Sequence, residues 1–388
     1  MPAPYTLAGM ITWRNGTVAG TRREWPGAVE LDVTVDGTPA RSVRALAYPA
    51  LTGFPRPGDR VLLNTTALDL GLGTGGYALV IAIPDRLPPD PAGPQPGGCL
   101  VKARYTPLQV TVPGADEQRS PYHEVLRDAD DIGGMPVVVA DLHSALPAVL
   151  AGVFDEAERA VAGARGPGDP PVVVYVMQDG GALPAWFSHT CAALKDAGRL
   201  AATVTTGQSF GGDLETVTVH TGLLAARHVL GADLAVVAQG PGNLGTGSRW
   251  GFSGVAAGEA VNAVAALGGR PVACLRISDA DRRERHRGVS HHSLTAYGRV
   301  ALARADVVVP GLPGPFGARV AAQAAGLGQR HAIVTVPVDG LEAALRASPA
   351  RLSTMGRGLD EDLAYFLAAA AAGRHAGRLL RGQPTLAG

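Results

Sequence analysis

The residues able to do chemistry are concentrated in one stretch, Arg276-Ile-Ser-Asp-Ala-Asp-Arg-Arg-Glu-Arg-His-Arg-Gly-Val-Ser-His-His-Ser293, which holds two aspartates, five arginines and three histidines. A guanidinium presents a rigid fork of donors that matches carboxylate and phosphate. Histidine is the side chain whose ordinary pKa lets it exchange protons near neutrality. We assign Arg285, His286 and Arg287 to holding an anionic substrate, His291 and His292 to proton transfer, and Asp279 to a catalytic carboxylate just past the preceding apolar run. Ser290 has the type and position of a helix N-cap, which puts His291 and His292 in the first turn of the next helix. That end of a helix favours an anion and disfavours the imidazolium. A bare capping turn needs neither histidine.

Three further constellations belong with this stretch. Gly240-Pro-Gly-Asn-Leu-Gly245 fits G-x-G-x-x-G after a strand, but no helix opens at once and no acid follows about 20 residues on, so a dinucleotide site is not expected. It reads instead as a nest in which Gly240, Gly242, Asn243, Gly245, Thr246 and Gly247 hold an anionic or carbonyl group. A tight strand-to-helix turn with no ligand is the alternative. Asp179 is assigned as a second catalytic carboxylate, and Gln208 of Thr206-Gly-Gln-Ser-Phe-Gly-Gly-Asp213 as a substrate contact. Asp141, His143, Asp213 and Glu215 are grouped as ligands for a divalent metal. No H-x-x-x-H or H-E-x-x-H spacing ties ligands to one helix, and Asp213 or Glu215 serves equally to cap a helix beginning near Thr216. Met355-Gly-Arg357-Gly either lends an arginine to the site or is a loop.

The elements that must position these residues are legible from Cys99 onward. Apolar runs at 137–140, 172–176, 201–205, 234–238, 272–277, 306–309 and 332–336 read as strands. Alanine- and leucine-rich stretches at 145–164, 184–197, 216–230, 255–267, 291–305, 317–326 and 360–380 read as helices. Continuous valine-rich strands alternating with helices predict an α/β fold: a doubly wound, mainly parallel sheet. In such a sheet ligands bind beyond the carboxyl ends of the strands. Asp141, Asp179, Asp213, Gly242 and His291 are all expected at that edge, in one cleft.

A different pattern precedes it. Val29-Glu-Leu-Asp-Val-Thr-Val35 alternates, Asp36-Gly37 signals a hairpin, and further short runs follow at 61–63 and 77–82. Residues 1–83 are read as a small N-terminal β-barrel, OB or SH3-like. Residues 84–98, with six prolines, form a semi-rigid linker, and residues 99–388 the α/β domain. No basic or aromatic row lines up on the barrel strands. The barrel is therefore a docking or oligomerisation module, and the chain a homo-oligomer. The 34 basic and 34 acidic residues cancel, which argues against a whole-surface field for nucleic acid or membrane. Cys99, Cys191 and Cys274 form no C-x-x-C pair, so neither a disulfide framework nor a zinc knuckle is expected. No run approaches a membrane span, and the protein is read as soluble and cytoplasmic.

Four motifs together resemble a bacterial domain-of-unknown-function family, family 3866, over nearly the full length. They are Arg104-Tyr-Thr-Pro-Leu-Gln109, Gly207-x-x-Phe-Gly-Gly-Asp-x-Glu215, Gly240-Pro-Gly-x-x-Gly-Thr-Gly247 and Arg285-His-Arg-Gly-x-Ser-His-His292. One departure is Gln178, where the pattern has threonine or serine. The resemblance implies no activity. The residues themselves predict a cytoplasmic enzyme, hydrolase or transferase, acting on a small anionic or phosphorylated molecule. The alternative is a non-catalytic regulator binding nucleic acid or a protein partner through the barrel and the arginine loop.

Overall fold

The computed structural model describes residues 10–73, 75–90, 98–160 and 170–381. The chain divides into two compact units, Met1–Gln95 and Pro96–Gly388. Of the proline-rich segment, residues 91–97 lie outside the described residues.

The first unit is a closed five-stranded barrel. Its long first strand, Trp13–Trp25, pairs with both Ala28–Val35 and Arg60–Asn64. Arg41–Ala47 and Ala78–Ala82 complete the closure through a parallel contact. Alternation puts Val29, Leu31, Val33 and Val35 into the core beside Val61 and Leu63. Several arginines outside it are ion-paired locally: Arg22 to Asp32, Arg41 to Asp69, Arg60 to Asp36 and Arg86 to Asp59.

The second unit is built on an eight-stranded sheet. Across the sheet the order is Leu214–Glu215, Ala202–Thr205, Val173–Gln178, Leu234–Gln239, Pro136–Val139, Arg270–Cys274, Asp306–Gly311 and Ala332–Pro337. Every neighbouring pair is parallel. Period two along each strand sends alternate side chains to opposite faces, and both faces are apolar. Val138, Tyr175, Val236 and Val272 meet the helices Leu146–Ala160 and Leu363–Leu380. Val137, Val176, Val237 and Ala273 meet Val219–His228, Ala256–Ala266 and Gly314–Ala325. This is the α/β architecture that the valine runs predict.

Chain order reverses in the middle of the sheet. From Pro136–Val139 the chain moves one way to three strands, returns at Leu234–Gln239, then continues on the other side from Arg270–Cys274. Such a switch point is where loops diverge and leave a crevice. The segment predicted as one helix over 291–305 differs. It is a single α-turn, His291–Thr295, followed by a π-helical turn, Ala296–Val300, and a stop at Ala301. The π turn aims the Tyr297 hydroxyl at the carbonyls of Val139 and Cys274, 2.8 and 3.2 Å away.

Candidate functional site

The strand Arg270–Cys274 ends two residues before Arg276. Ile277–Ser278 then pairs antiparallel with Gly288–Val289, so that the charged residues 279–287 form the tip of a hairpin. Its return leg is fastened to its outgoing one. Ser290 N donates to Arg276 O, and Arg276 N donates to Ser293 Oγ, both at 2.8 Å. The cap expected at Ser290 is present, its hydroxyl accepting from His292 N at 3.2 Å and lying 2.8 Å from His286 Nδ1.

This folding-back buries a charged cluster at the switch point. Arg276 and Asp141 are each only 4% exposed. Arg276 Nη1 lies 3.3 Å from His292 Nδ1 and 3.9 Å from Asp141 Oδ2. His292 Nδ1 is 3.7 Å from the same carboxylate oxygen, and its ring stacks on Phe252 with centroids 3.8 Å apart. Asp141 Oδ2 is buried without a hydrogen-bond partner. His286, His291 and His292 form a triangle of rings with centroids 4.4–4.9 Å apart. Burial, followed by the field of Arg276, pushes His286 down to about 3. Burial and the neighbouring His292 push His291 down to about 4. Both imidazoles are neutral at pH 7, so they can ligate a metal or accept a proton but cannot serve as fixed cations.

The glycine-rich turn abuts this cluster. Gln239 Nε2 donates to Asp141 O at 2.8 Å and to Asn243 Oδ1 at 3.2 Å. Asn243 Oδ1 also accepts from Ser253 Oγ and Gly254 N. Asn243, expected at a ligand, thus has its side-chain oxygen committed to organising the turn. Thr246 is similarly occupied with Ser248 and Gly251. The glycines separate into two kinds. A Cβ on Gly240 would overlap the Ala182 carbonyl, and one on Gly181 the Gly240 carbonyl, so both positions need glycine for close backbone packing. Gly242 and Gly247 instead adopt φ of +92° and +84° and face open space, apart from Arg285 Nη2 beside Gly247. Gly245 bridges to Phe252.

Other assigned residues lie elsewhere. Arg285 and Arg287 are exposed, as is Asp279, which sits 3.7 Å from Arg287. Asp179 is exposed at the next strand end and accepts from Gln208 N at 2.9 Å, while Gln208 Oε1 accepts from Arg104 N. Arg357 pairs with Asp362 and Asp281, not with the cluster around Arg276.

The four-residue metal grouping is corrected. Only Asp141 faces the cluster. His143 is buried with both ring nitrogens engaged, Nδ1 3.0 Å from the Tyr175 hydroxyl and Nε2 2.8 Å from Ser188 Oγ. Glu215 is bonded to Thr205 Oγ1 and Gly211 N beside buried Lys102. Asp213 pairs with Lys195 and accepts from Thr203 N, because residues 206–212 double back and deliver it to the start of its own strand. Among the described residues, the group with metal-ligand proximity is His286, His291 and His292, whose ligand atoms all lie within 4.8 Å of one another.

Sequence reasoning missed Arg276 as a site residue, and with it Phe252. The signal was a cation directly closing the apolar run Val272-Ala-Cys-Leu275, which reads as the exit of a strand and is in fact buried.

The family model described as Protein of unknown function (DUF3866) matches residues 44–373. The chain belongs to that family, as its four motifs suggest. No curated protein and no solved structure matches the chain.

Proposed function

We propose, for this member of the DUF3866 family, that the chain is an enzyme acting on a small anionic substrate, carboxylate or phosphate, bound at the switch point over Arg276, Asp141 and His292. One observation carries the reading. A guanidinium has five N–H donors, yet among the described residues the almost fully buried Arg276 makes a single side-chain hydrogen bond, beside a buried carboxylate oxygen that makes none. Buried polar atoms ordinarily each have at least one hydrogen-bond partner, and Asp141 Oδ2 has none. This pair is arranged to complete its bonding with something else. Arg276 would take the anion, and His292, held between Arg276 and Phe252, would exchange a proton with it. Asp141 would orient the imidazole. Arg285, beside the open face of Gly247, would meet the substrate at the rim. Hydrolysis and group transfer both suit this set.

The test is calorimetric titration of phosphate, sulfate, short carboxylates and nucleotides into the wild type, Arg276→Gln and His292→Ala, with thermal melts alongside. Loss of one charge-assisted contact is expected to weaken binding by about 1.5–3 kcal/mol, roughly tenfold to a hundredfold. If no anion binds, or if both variants bind as well as the wild type, the reading fails. A strongly salt-dependent shift with RNA or DNA would favour the regulator instead. The ion-paired arginines of the barrel speak against that outcome.

A further inference from the structure

We propose that His286, His291 and His292 form a binding site for one divalent transition-metal ion of the zinc class, ligated through three imidazole Nε2 atoms. The assignment of atoms follows from which nitrogens are already committed. His286 Nδ1 is held by Ser290 Oγ at 2.8 Å, which leaves Nε2. His292 Nδ1 faces Arg276 and Asp141, which again leaves Nε2. His291 Nε2 is buried with no hydrogen-bond partner. The ligand atoms of the three residues lie within 4.8 Å of one another. Three nitrogens each at about 2.0–2.1 Å from a tetrahedral ion sit roughly 3.3 Å apart. His291 is the least buried of the three, and the site requires its ring to turn toward the other two on binding.

The surroundings are those that metal-ligating histidines keep. Such a histidine usually donates its other N–H to a carboxylate, a backbone carbonyl or water, which fixes ring and tautomer. Without an ion, His292 Nδ1 accepts from Arg276 Nη1. With Nε2 on a cation the proton moves to Nδ1, that contact is given up, and Asp141 Oδ2 becomes the acceptor. That oxygen is buried, unpartnered and 3.7 Å away. His286 Nδ1–H donates to Ser290 Oγ, whose remaining lone pair accepts from His292 N. One ion therefore completes two otherwise incomplete groups, His291 Nε2 and Asp141 Oδ2. Three histidines leave a fourth position for water or substrate. In that role the metal deepens the anion-binding reading and rests on it, with His292 then a ligand and proton exchange left to the group at the fourth position, whereas the binding of the ion rests on the histidines alone.

The experiment uses the full chain, stripped with a chelator and titrated with Zn2+ by calorimetry and with Co2+ by its visible d–d absorption. One ion per chain is expected, together with a Co2+ spectrum of nitrogen-ligated, low-coordinate type. His291→Ala, at a half-exposed position where the fold is least at risk, should abolish that spectrum. Asp141→Asn, acting through His292, should weaken Zn2+ binding by about 10- to 100-fold. Thermal melts of both variants check folding. No stoichiometric ion, or Co2+ binding that survives His291→Ala unchanged, overturns the site. Metal binding with no anion binding leaves this site standing and removes the enzyme reading above. Anion binding without metal does the reverse.

Discussion

Lys102 and Arg276 are both buried cations at the carboxyl-edge loops of the same sheet, and they are buried in opposite ways. Lys102, 1% exposed, gives its three N–H groups to the carbonyls of Gly207, Ser209 and Thr216 at 2.7–3.1 Å, with Glu215 at 3.5 Å. Glu215 in turn is bonded through both oxygens. Burial lowers the Lys102 pKa and raises that of Glu215, and each partner offsets the other's shift. Neither charged group of that cluster has an unpartnered atom, and the one buried polar atom left over is the neutral Ser209 hydroxyl. Among the described residues Arg276 makes one side-chain bond, at 3.3 Å, and its nearest carboxylate stands 3.9 Å away with an oxygen unpaired. Burial of charge therefore does not distinguish a scaffold from a site. What separates these two clusters is an unpartnered oxygen on a buried carboxylate beside a buried cation at the switch point, where a ligand would restore the stability that the missing bond costs.

The largest expected effect breaks the saturated cluster. Lys102→Met leaves Glu215 buried without its cation and three carbonyls without a donor. It should cost about 3–5 kcal/mol in denaturant unfolding, while leaving anion and metal affinity of the folded fraction unchanged. Arg276→Gln should cost clearly less stability, since Asp141 loses no hydrogen bond, and should reduce ligand affinity instead. Equal losses of stability in the two variants would erase the distinction between the clusters.

Next in size is a pH effect at another saturated position. His143 is fixed between Tyr175 and Ser188, and burial pushes its pKa down to about 4. The unfolded chain binds that proton near pH 6.5, so between these values the unfolded state holds more protons than the folded one. The His143 contribution is then complete above pH 6.5, is lost as pH falls, and levels off below about 4. The slope approaches about 1.4 kcal/mol per pH unit, on the order of 3 kcal/mol across the window. Unfolding curves of wild type and His143→Gln should converge as pH falls through this range. Parallel pH profiles would mean that His143 is not the neutral buried group its partners indicate.

These two clusters also mark how far the sequence could be read. The valine runs from Val137 to Val336 predict the parallel sheet because full burial on both faces demands unbroken apolar strands, and they do so within one to three residues at most boundaries. The edge strand Leu214–Glu215 has two residues and no period to detect. Trp13–Trp25 pairs on two sides of a barrel through two register shifts, which destroys simple alternation. Within the site, the histidines were legible by type, because no turn requires them. Arg276 was not, since a cation after an apolar run ordinarily marks the chain's exit to solvent. Asp141 and His143 look like paired ligands at a spacing of two. The 3-10 turn His143–Ala145 sends them apart, one to Arg276 and one to Ser188. Spacing in a loop carries no direction, and that is why the metal grouping failed there.

The smallest expected effect separates the buried arginine from the rim. Arg287 is exposed, and its Nε stands 3.7 Å from Asp279 in a pair open to solvent. Such pairs are worth roughly 0–1 kcal/mol, so Arg287→Ala should leave the melting temperature within error. Its pull on an anion acts through water. The loss of affinity should stay within about fivefold at low ionic strength, under about 1 kcal/mol. It should vanish near 1 M salt, where the screening length falls to about 3 Å. A guanidinium at 4% exposure is shielded from mobile ions, so the deficit of Arg276→Gln should persist at both ionic strengths. Titrating the tightest anion against the two variants at low and high salt measures this difference directly. If Arg287→Ala loses as much as Arg276→Gln, and loses it at both salts, the anion sits on the hairpin tip rather than over the buried pair, and Arg276 returns to the scaffold alongside Lys102.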